Sequence, residues 1–384
     1  MKKHFVLFAG LLALCALSPA IANSKTVEET KNPRIEVVFV LDTTGSMGGL
    51  IQGAKQKIWS IANTMASGKP TPRIKMGLVA YRDRTDQYVT RVTELSADLD
   101  AVYTDLMNLQ AAGGGDTPES VNQGLHEAVK KIKWSTGTEA YRVIFLVGDC
   151  PPHMDYKDDV KYPETCKQAA RKGIIINTIQ CGNHAATTPI WQKIADRAEG
   201  QFFQIAQSGG TVAVSTPYDE KLGKLSERMA ETRVYYGSMK QRESLKEKAA
   251  SAEKTRKTAP ASALADRAAF MAEEAAEASF AGRNELVTDW KKGRVKLAEI
   301  KKGKLPDELR KMPVKKRREY LQNMWEQREE LRRQIAKTQA KRQEHIKQEL
   351  ADRTEGDSFD SVVKNAIRTQ ARDAGLRYGE KSGK

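Results

Sequence analysis

From residue 34 to about residue 205, short apolar runs rich in β-branched residues alternate with stretches in which apolar residues recur every three or four positions. The first pattern is that of a buried strand, the second that of a helix covered along one stripe. Predicted strands fall at 35–41, 75–81, 88–93, 142–147, 174–180 and 202–205. Gly, Pro and Asp flank these runs, which favours strands over buried helical segments of the same length. Between them, Leu50, Ala54, Ile58, Ile61 and Met65 keep helical spacing, as do Leu99, Val102, Leu106 and Leu109. Pro118-Glu119 begins a further predicted helix, with Thr117 as N-cap and Pro in the first turn. Such alternation specifies an α/β fold, a doubly wound and mostly parallel sheet with helices on both faces. Right-handed crossovers bring the parallel strand ends to one edge, where ligands bind, so the loops after Leu41, Tyr81 and Val147 are the places to look for function.

Past Pro217 the β-branched runs stop, and Lys, Glu, Arg, Gln and Ala dominate. A helix over 219–235, with Leu222, Leu225 and Met229 as its stripe, is expected to close a first domain spanning 33–235. A helical or flexible connection over 236–262 and a basic, mainly α-helical region over 263–384 are expected to follow. Within that region, helices are predicted over 264–280 and over 314–352, the latter about 55 Å long if unbroken. Its seam of Leu321, Met324, Leu331, Ile335, Ile346 and Leu350 is interrupted by Arg328 and Arg342. Those charges argue against a strict coiled coil and for a helical hairpin or bundle, with oligomerisation through the helices left open.

Charge follows the same division. The chain carries a formal net charge of +15, and residues 219–384 hold 40 Lys and Arg against 28 Asp and Glu. Glu326, Glu329 and Glu330 lie among the cations, the pattern of a solvated helix face laced with ion pairs. Contact with an anionic envelope surface is the alternative. Nucleic acid is not expected as a partner, because the N-terminus reads as an export signal. Lys2 and Lys3 precede an apolar run over 5–17, and Ala20-Ile21-Ala22 supplies a small-residue cleavage pattern, so residues 1–22 are predicted to be a signal peptide cut before Asn23. The apolar run is short against the roughly 20 residues that span a bilayer. Export places the mature chain in the periplasm or outside the cell, where thiols can oxidise. Three cysteines remain after cleavage, and Cys166 with Cys181 is the favoured pairing, leaving Cys150 free.

The candidate chemistry lies directly after the first strand, where Asp42-Thr43-Thr44-Gly45-Ser46 gathers one carboxylate and several hydroxyls. Oxygen-only donors suit a hard cation, Mg²⁺, Mn²⁺ or Ca²⁺, rather than zinc or copper. An isolated example of this motif reads better as a helix cap and turn. Two further segments change that: Thr117 inside Gly113-Gly114-Gly115-Asp116-Thr117-Pro118-Glu119, and Asp149 after Ile144-Phe145-Leu146-Val147-Gly148. Together these three loops resemble the metal-ion-dependent adhesion site of the von Willebrand factor A (vWA) domain, over about residues 33 to 235. The resemblance implies that Thr44, Ser46 and Thr117 bind the cation through hydroxyls, while Asp42 and Asp149 act largely through bound waters. With little negative charge directly on it, the cation, Mg²⁺ first, stays electrophilic and accepts a carboxylate from a partner protein as its remaining ligand. Asp83 and Asp116 are expected to orient loops rather than ligate. The Gly113–Gly115 run is expected to adopt unusual backbone angles.

Catalytic alternatives lack their residues. An aspartate-nucleophile phosphatase needs a second acid where Thr44 stands. A phosphate loop needs Gly-Lys followed by Ser or Thr, whereas Gly53 is followed by Ala54 and Lys55. No Gly-x-Ser-x-Gly elbow surrounds Ser46. His153 is expected to hydrogen-bond locally and Cys150 to be a buried small residue. The sequence therefore predicts an exported, non-enzymatic interaction protein that captures an acidic group through a divalent cation. The alternative is an envelope scaffold whose helices make the partner contacts, with the metal only stabilising the first domain.

Overall fold

The computed structural model describes residues 32–115, 117–351 and 357–379. The predicted signal peptide and Asp116 lie outside them. One sheet is built from β1 (Arg34–Asp42), β2 (Arg73–Tyr81), β3 (Thr90–Ser96), β4 (Ala140–Gly148), β5 (Ile174–Cys181) and β6 (Phe202–Ile205), in the order β3-β2-β1-β4-β5-β6. Every neighbouring pair is parallel except β2 with β3, an antiparallel edge. This is the doubly wound α/β sheet that the alternating pattern predicts.

The central strand β1 is buried from Ile35 to Asp42, which explains its nearly unbroken apolar run, since both faces of a parallel sheet are covered. Ile35, Val37, Phe39 and Leu41 pack into one core, and Val38 and Val40 into the other, the two-residue period of a strand. The first face is covered by α1 (Gly48–Ala66) and α2 (Leu99–Asn108), the second by α3 (Val121–Lys130), α4 (Tyr162–Arg171) and α5 (Thr188–Arg197). The chain then returns to the first face with α6 (Asp219–Glu231), which buries the expected Leu222, Leu225 and Met229.

The third helix starts later than its Thr-Pro-Glu signal predicts, at Val121 rather than Pro118. The preceding backbone is already engaged: Glu119 N–H donates to Pro151 O at 2.9 Å, and His153 N–H donates to Glu119 O at 3.0 Å. This ties the loop before α3 to the loop after β4.

The helical region comprises α7 (Met239–Thr258), α8 (Ala261–Ala272), the short α9 (Glu277–Phe280), α10 (Leu286–Lys291) and α11 (Asp307–Arg310), then α12 (Val314–Glu349) and α13 (Phe359–Gln370). The connection over 236–262 is an ordered helix, opened by a capping box between Ser238 and Gln241. The single helix predicted over 264–280 is broken into α8 and α9.

From Asn32 onward the chain is one compact unit, in which residues of the expected domain at 33–235 and of the helical region at 263–384 share a core. Phe270 of α8, Leu331 and Ile335 of α12, and Phe359, Val363 and Ile367 of α13 enter the same core as Phe39 and Phe145 of the sheet. The Phe359 ring lies 5.9 Å from that of Phe39. Fully burying one such side chain contributes roughly 2 kcal/mol, so the sheet face depends heavily on its C-terminal cover. Polar contacts fix the register: Gln370 of α13 exchanges two hydrogen bonds with Asn177 of β5, at 2.9 and 2.8 Å, and accepts a third from Tyr141.

The two arginines that interrupt the α12 seam are themselves buried within it. Leu321, Arg328, Ile335 and Arg342 recur every seventh residue, so they share one face. Arg328 meets Glu285 at 3.1 Å and Thr232 Oγ1 at 2.9 Å, while Arg342 bridges Asp219 and Asp266, each at 2.7 Å. This face is spent on the helix's own chain.

The expected disulfide between Cys166 and Cys181 is absent, and Cys150, Cys166 and Cys181 are all free. Cys166 on α4 sits in the core of the second face and Cys181 at the end of β5 in the core of the first, so the sheet separates them. Among the described residues, no helix is long and apolar enough to cross a membrane.

Candidate metal centre

The sheet's carboxyl edge brings together the three loops singled out in the sequence. β1 pairs with β4 in register Leu41↔Val147, so Asp42 and Asp149 leave adjacent strands side by side. Gly148 permits that proximity, since a Cβ there would stand 3.0 Å from the Asp42 Cβ. The second loop reaches the first through its glycines. Gly113 and Gly114 adopt φ of 80° and 78°, as the glycine run predicts, and Gly113 O accepts a hydrogen bond from Gly45 N–H at 3.0 Å. A Cβ on Gly114 would lie 2.9 Å from the Thr44 Cβ, too close for any other residue.

Asp42 is fully buried and holds the motif loop in shape. Its Oδ1 accepts from Thr44 N–H at 2.8 Å and from Thr44 Oγ1 at 2.7 Å. Thr44 Oγ1 and Ser46 Oγ stand 3.5 Å apart, with Thr44 buried and Ser46 exposed. Thr117 is also exposed, its Oγ1 3.8 Å from Cys150 Sγ. Asp149 is buried; its Oδ2 accepts from Gln207 Nε2 at 2.7 Å, and its backbone carbonyl from Thr187 Oγ1 at 2.8 Å. Buried carboxylates thus sit at the base, with hydroxyls at the opening.

The opposite oxygens of these carboxylates have no hydrogen-bond partner: Asp42 Oδ2 and Asp149 Oδ1, together with Glu119 Oε2. A buried anionic oxygen without a donor is costly unless it is protonated or matched by a cation. Burial first, then the charges of Asp149 and Asp86, push the Asp42 pKa up to about 7 against the lowering effect of the Thr44 hydrogen bonds. Burial and the charges of Asp42, Asp83, Asp86 and Asp149 push Glu119 up to about 9. Among the described residues, no three His, Cys, Asp or Glu side chains are arranged as a metal cage, so hydroxyl oxygens would have to complete any coordination. Orphaned buried carboxylate oxygens next to open hydroxyls fit a small hard cation.

Glu119 is the residue that reading the sequence missed. It resembles an ordinary acid in a helix's first turn, but the backbone tie to the loop after β4 turns it inward, where its Oε1 lies close to Gly114. Asp83, by contrast, is consumed in local contacts: it accepts from Ser120 Oγ at 2.8 Å and Tyr156 OH at 2.7 Å, and His153 Nε2 lies 3.6 Å away. Asp86 accepts from Gly114 N–H at 3.2 and 3.1 Å and so steadies the second loop. His153 bonds locally to Asp155 at 2.8 Å and stacks on Tyr156. Burial pushes the Cys150 thiol up to about 12, which leaves it protonated and unreactive at neutral pH.

Residues 36–217 match the family model of the von Willebrand factor A domain. A putative ariadne-like RING finger protein of Acanthamoeba polyphaga mimivirus is 21% identical over 198 residues, 47% of this chain and 19% of the viral protein. The alpha-protein kinase vwkA of Dictyostelium discoideum is 26% identical over 121 residues, 31% of this chain and 19% of the kinase. The match thus spans about a fifth of the length of these curated relatives. Among solved structures, BatB from Bacteroides thetaiotaomicron covers 46% of this chain and 91% of its own, at 14% identity and a TM-score of 0.34. The SpRpn10 VWA domain covers 46% and 89%, at 16% identity and a TM-score of 0.34. With the strand order, the family match and the three converging loops in place, residues 36–217 of this chain are a von Willebrand factor A domain.

Proposed function

We propose that this chain is an exported, non-enzymatic interaction protein whose vWA domain captures a carboxylate of a partner protein through a divalent cation, Mg²⁺ in the first instance. vWA domains are common protein-interaction modules. The observation that carries the finer reading is the set of orphaned oxygens on Asp42, Glu119 and Asp149 beneath the hydroxyls of Thr44, Ser46 and Thr117. Thr44, Ser46 and Thr117 would hold the cation, with Asp42 and Asp149 beneath it. The cation would supply Lewis acidity toward an incoming carboxylate. This chain's own residues keep the loops in position: Asp42 orders the Thr44 turn, Gln207 fixes Asp149, and Asp86 steadies the glycine loop.

The scaffold alternative finds less support, since the buried face of α12 is occupied within its own chain. The periplasm as the setting rests on the N-terminal sequence pattern. Titration calorimetry of the full chain with Mg²⁺ tests the metal reading. One site is expected in the wild type and none in Asp42→Ala, with circular dichroism showing that the variant is folded. Equal heats from both proteins would remove the cation from this edge.

A further inference from the structure

A second site lies on the first face of the sheet, among the helices that cover it. A cleft of about 630 Å³ opens between α1, the loop after β6, α8, α12 and α13. That volume suits a small organic molecule. Its lining divides by chemistry. Val212 and Val214 of the loop and Ile346 of α12 form an apolar wall, while Lys57 and Ser60 of α1 and Gln339 of α12 form a polar one.

The charges in the cleft are unequally matched. Arg342 is held by Asp219 and Asp266, and Lys364 by Asp360 at 2.7 Å. Asp360 also accepts from Ser358 Oγ through its other oxygen, at 3.1 Å, so both of its oxygens are occupied. Asp357 is exposed at the rim. Lys57 of α1 and Arg368 are left: both line the cleft, and neither makes a hydrogen bond or ion pair with any described residue. Burial is the largest influence on the Lys57 ammonium and lowers its pKa, with the charge of Asp360 acting in the opposite direction. Arg368 of α13 adds a second cation to the lining, and the Gln339 Oε1 is buried without a partner, leaving room for a donor as well as an acid.

We infer that this cleft is a binding site for a small organic anion with an apolar body, its acidic group on Lys57 and its body along Val212, Val214 and Ile346. The pairing is complementary in both halves. A charge-assisted hydrogen bond satisfies a half-buried cation that has no partner among the described residues, and the apolar wall receives a surface that water solvates poorly.

Anilinonaphthalene sulfonate is a suitable probe, with phenylnaphthylamine as the uncharged molecule of nearly the same body. Fluorescence titrations of the full chain are made in chelator, so that a metal-bound anion cannot contribute. The wild type is expected to bind the sulfonate at one site and the neutral dye at least about ten-fold more weakly, the scale of one charge-assisted hydrogen bond. Lys57→Gln is expected to bring the two affinities together, and Ser60→Trp, which fills the cleft, to abolish both. Thermal unfolding confirms that each variant is folded. Equal affinity of the wild type for the two dyes overturns the inference. So does sulfonate binding that survives unchanged in either variant.

Discussion

Arg342 on α12 donates through Nε to Asp219 in the first turn of α6, 2.7 Å away and 123 residues earlier in the chain. Fourteen residues before it on the same helix, Arg328 donates to the carbonyl and hydroxyl oxygens of Thr232 at the other end of α6. One helix of the C-terminal region therefore grips α6, the helix that directly follows the vWA domain, at both ends. Replacing Arg342 by Met keeps most of the volume but leaves Asp219 and Asp266 buried without their cation. Removing one partner of a buried pair typically costs about 3–5 kcal/mol. Chemical denaturation of Arg342→Met is expected to show a loss of that size, partly recovered when Asp219 and Asp266 are changed to Asn in the same chain. A loss within experimental error would mean that the grip contributes nothing to stability.

The shared core makes a second prediction about the domain boundary. A chain ending at Tyr235 would expose the face of Phe39 and Phe145 that Phe359, Val363 and Ile367 cover. It is expected to lose cooperative thermal unfolding, and to aggregate or behave as a molten globule. A truncated chain that melts cooperatively at the full-length temperature would show that the helical region is dispensable.

The carboxylates of the metal edge set a pH dependence. In the metal-free protein, Asp42 is raised from 3.8 to about 7 and Glu119 from 4.5 to about 9, so the folded state holds protons that the unfolded chain has released. Stability then falls as pH rises, with the contribution fully present below about pH 4 and lost by about pH 9. Melts in chelator are expected to shift downward between about pH 5.5 and about pH 8.5. Mg²⁺ is expected to raise the melting temperature more at the higher pH, where the acids are ionised. A chelated protein more stable at the higher pH would contradict this sign.

Glu119 tests the part of the site that was found only in the structure. Glu119→Gln replaces an acid that must take up a proton to be buried beside Asp42, Asp83, Asp86 and Asp149. It is expected to stabilise the metal-free protein near neutral pH and to reduce the stabilisation that Mg²⁺ provides, both visible in thermal melts with and without the ion. If Mg²⁺ stabilises variant and wild type equally, Glu119 plays no part in holding the cation.

The sheet was legible because its strands are apolar runs punctuated by turn residues, and the ends of β6 agree with the predicted limits to the residue. Asp42, Thr44, Ser46, Thr117 and Asp149 were legible as a group through the resemblance of their three loops to the vWA adhesion site, and those loops meet at one edge of the sheet. What was hidden depends on contacts distant in sequence. Arg328 and Arg342 read as flaws in an apolar seam because their partners Glu285 and Asp219 lie 43 and 123 residues away. Cys166 and Cys181 look like neighbours along the chain, yet a sheet lies between them. Glu119 has the local signature of a helix start, and only its backbone pairing with the loop after β4 reveals that it points inward.

The central claim, capture of a partner's carboxylate through a cation at the strand edge, is tested most directly by retention of envelope proteins on the immobilised full chain. The comparison is between Mg²⁺ and chelator, with folded Asp42→Ala as control. The account predicts a protein retained in Mg²⁺, released by chelator and not bound by the variant. A partner that stays bound in chelator, or binds the variant equally well, would contradict it.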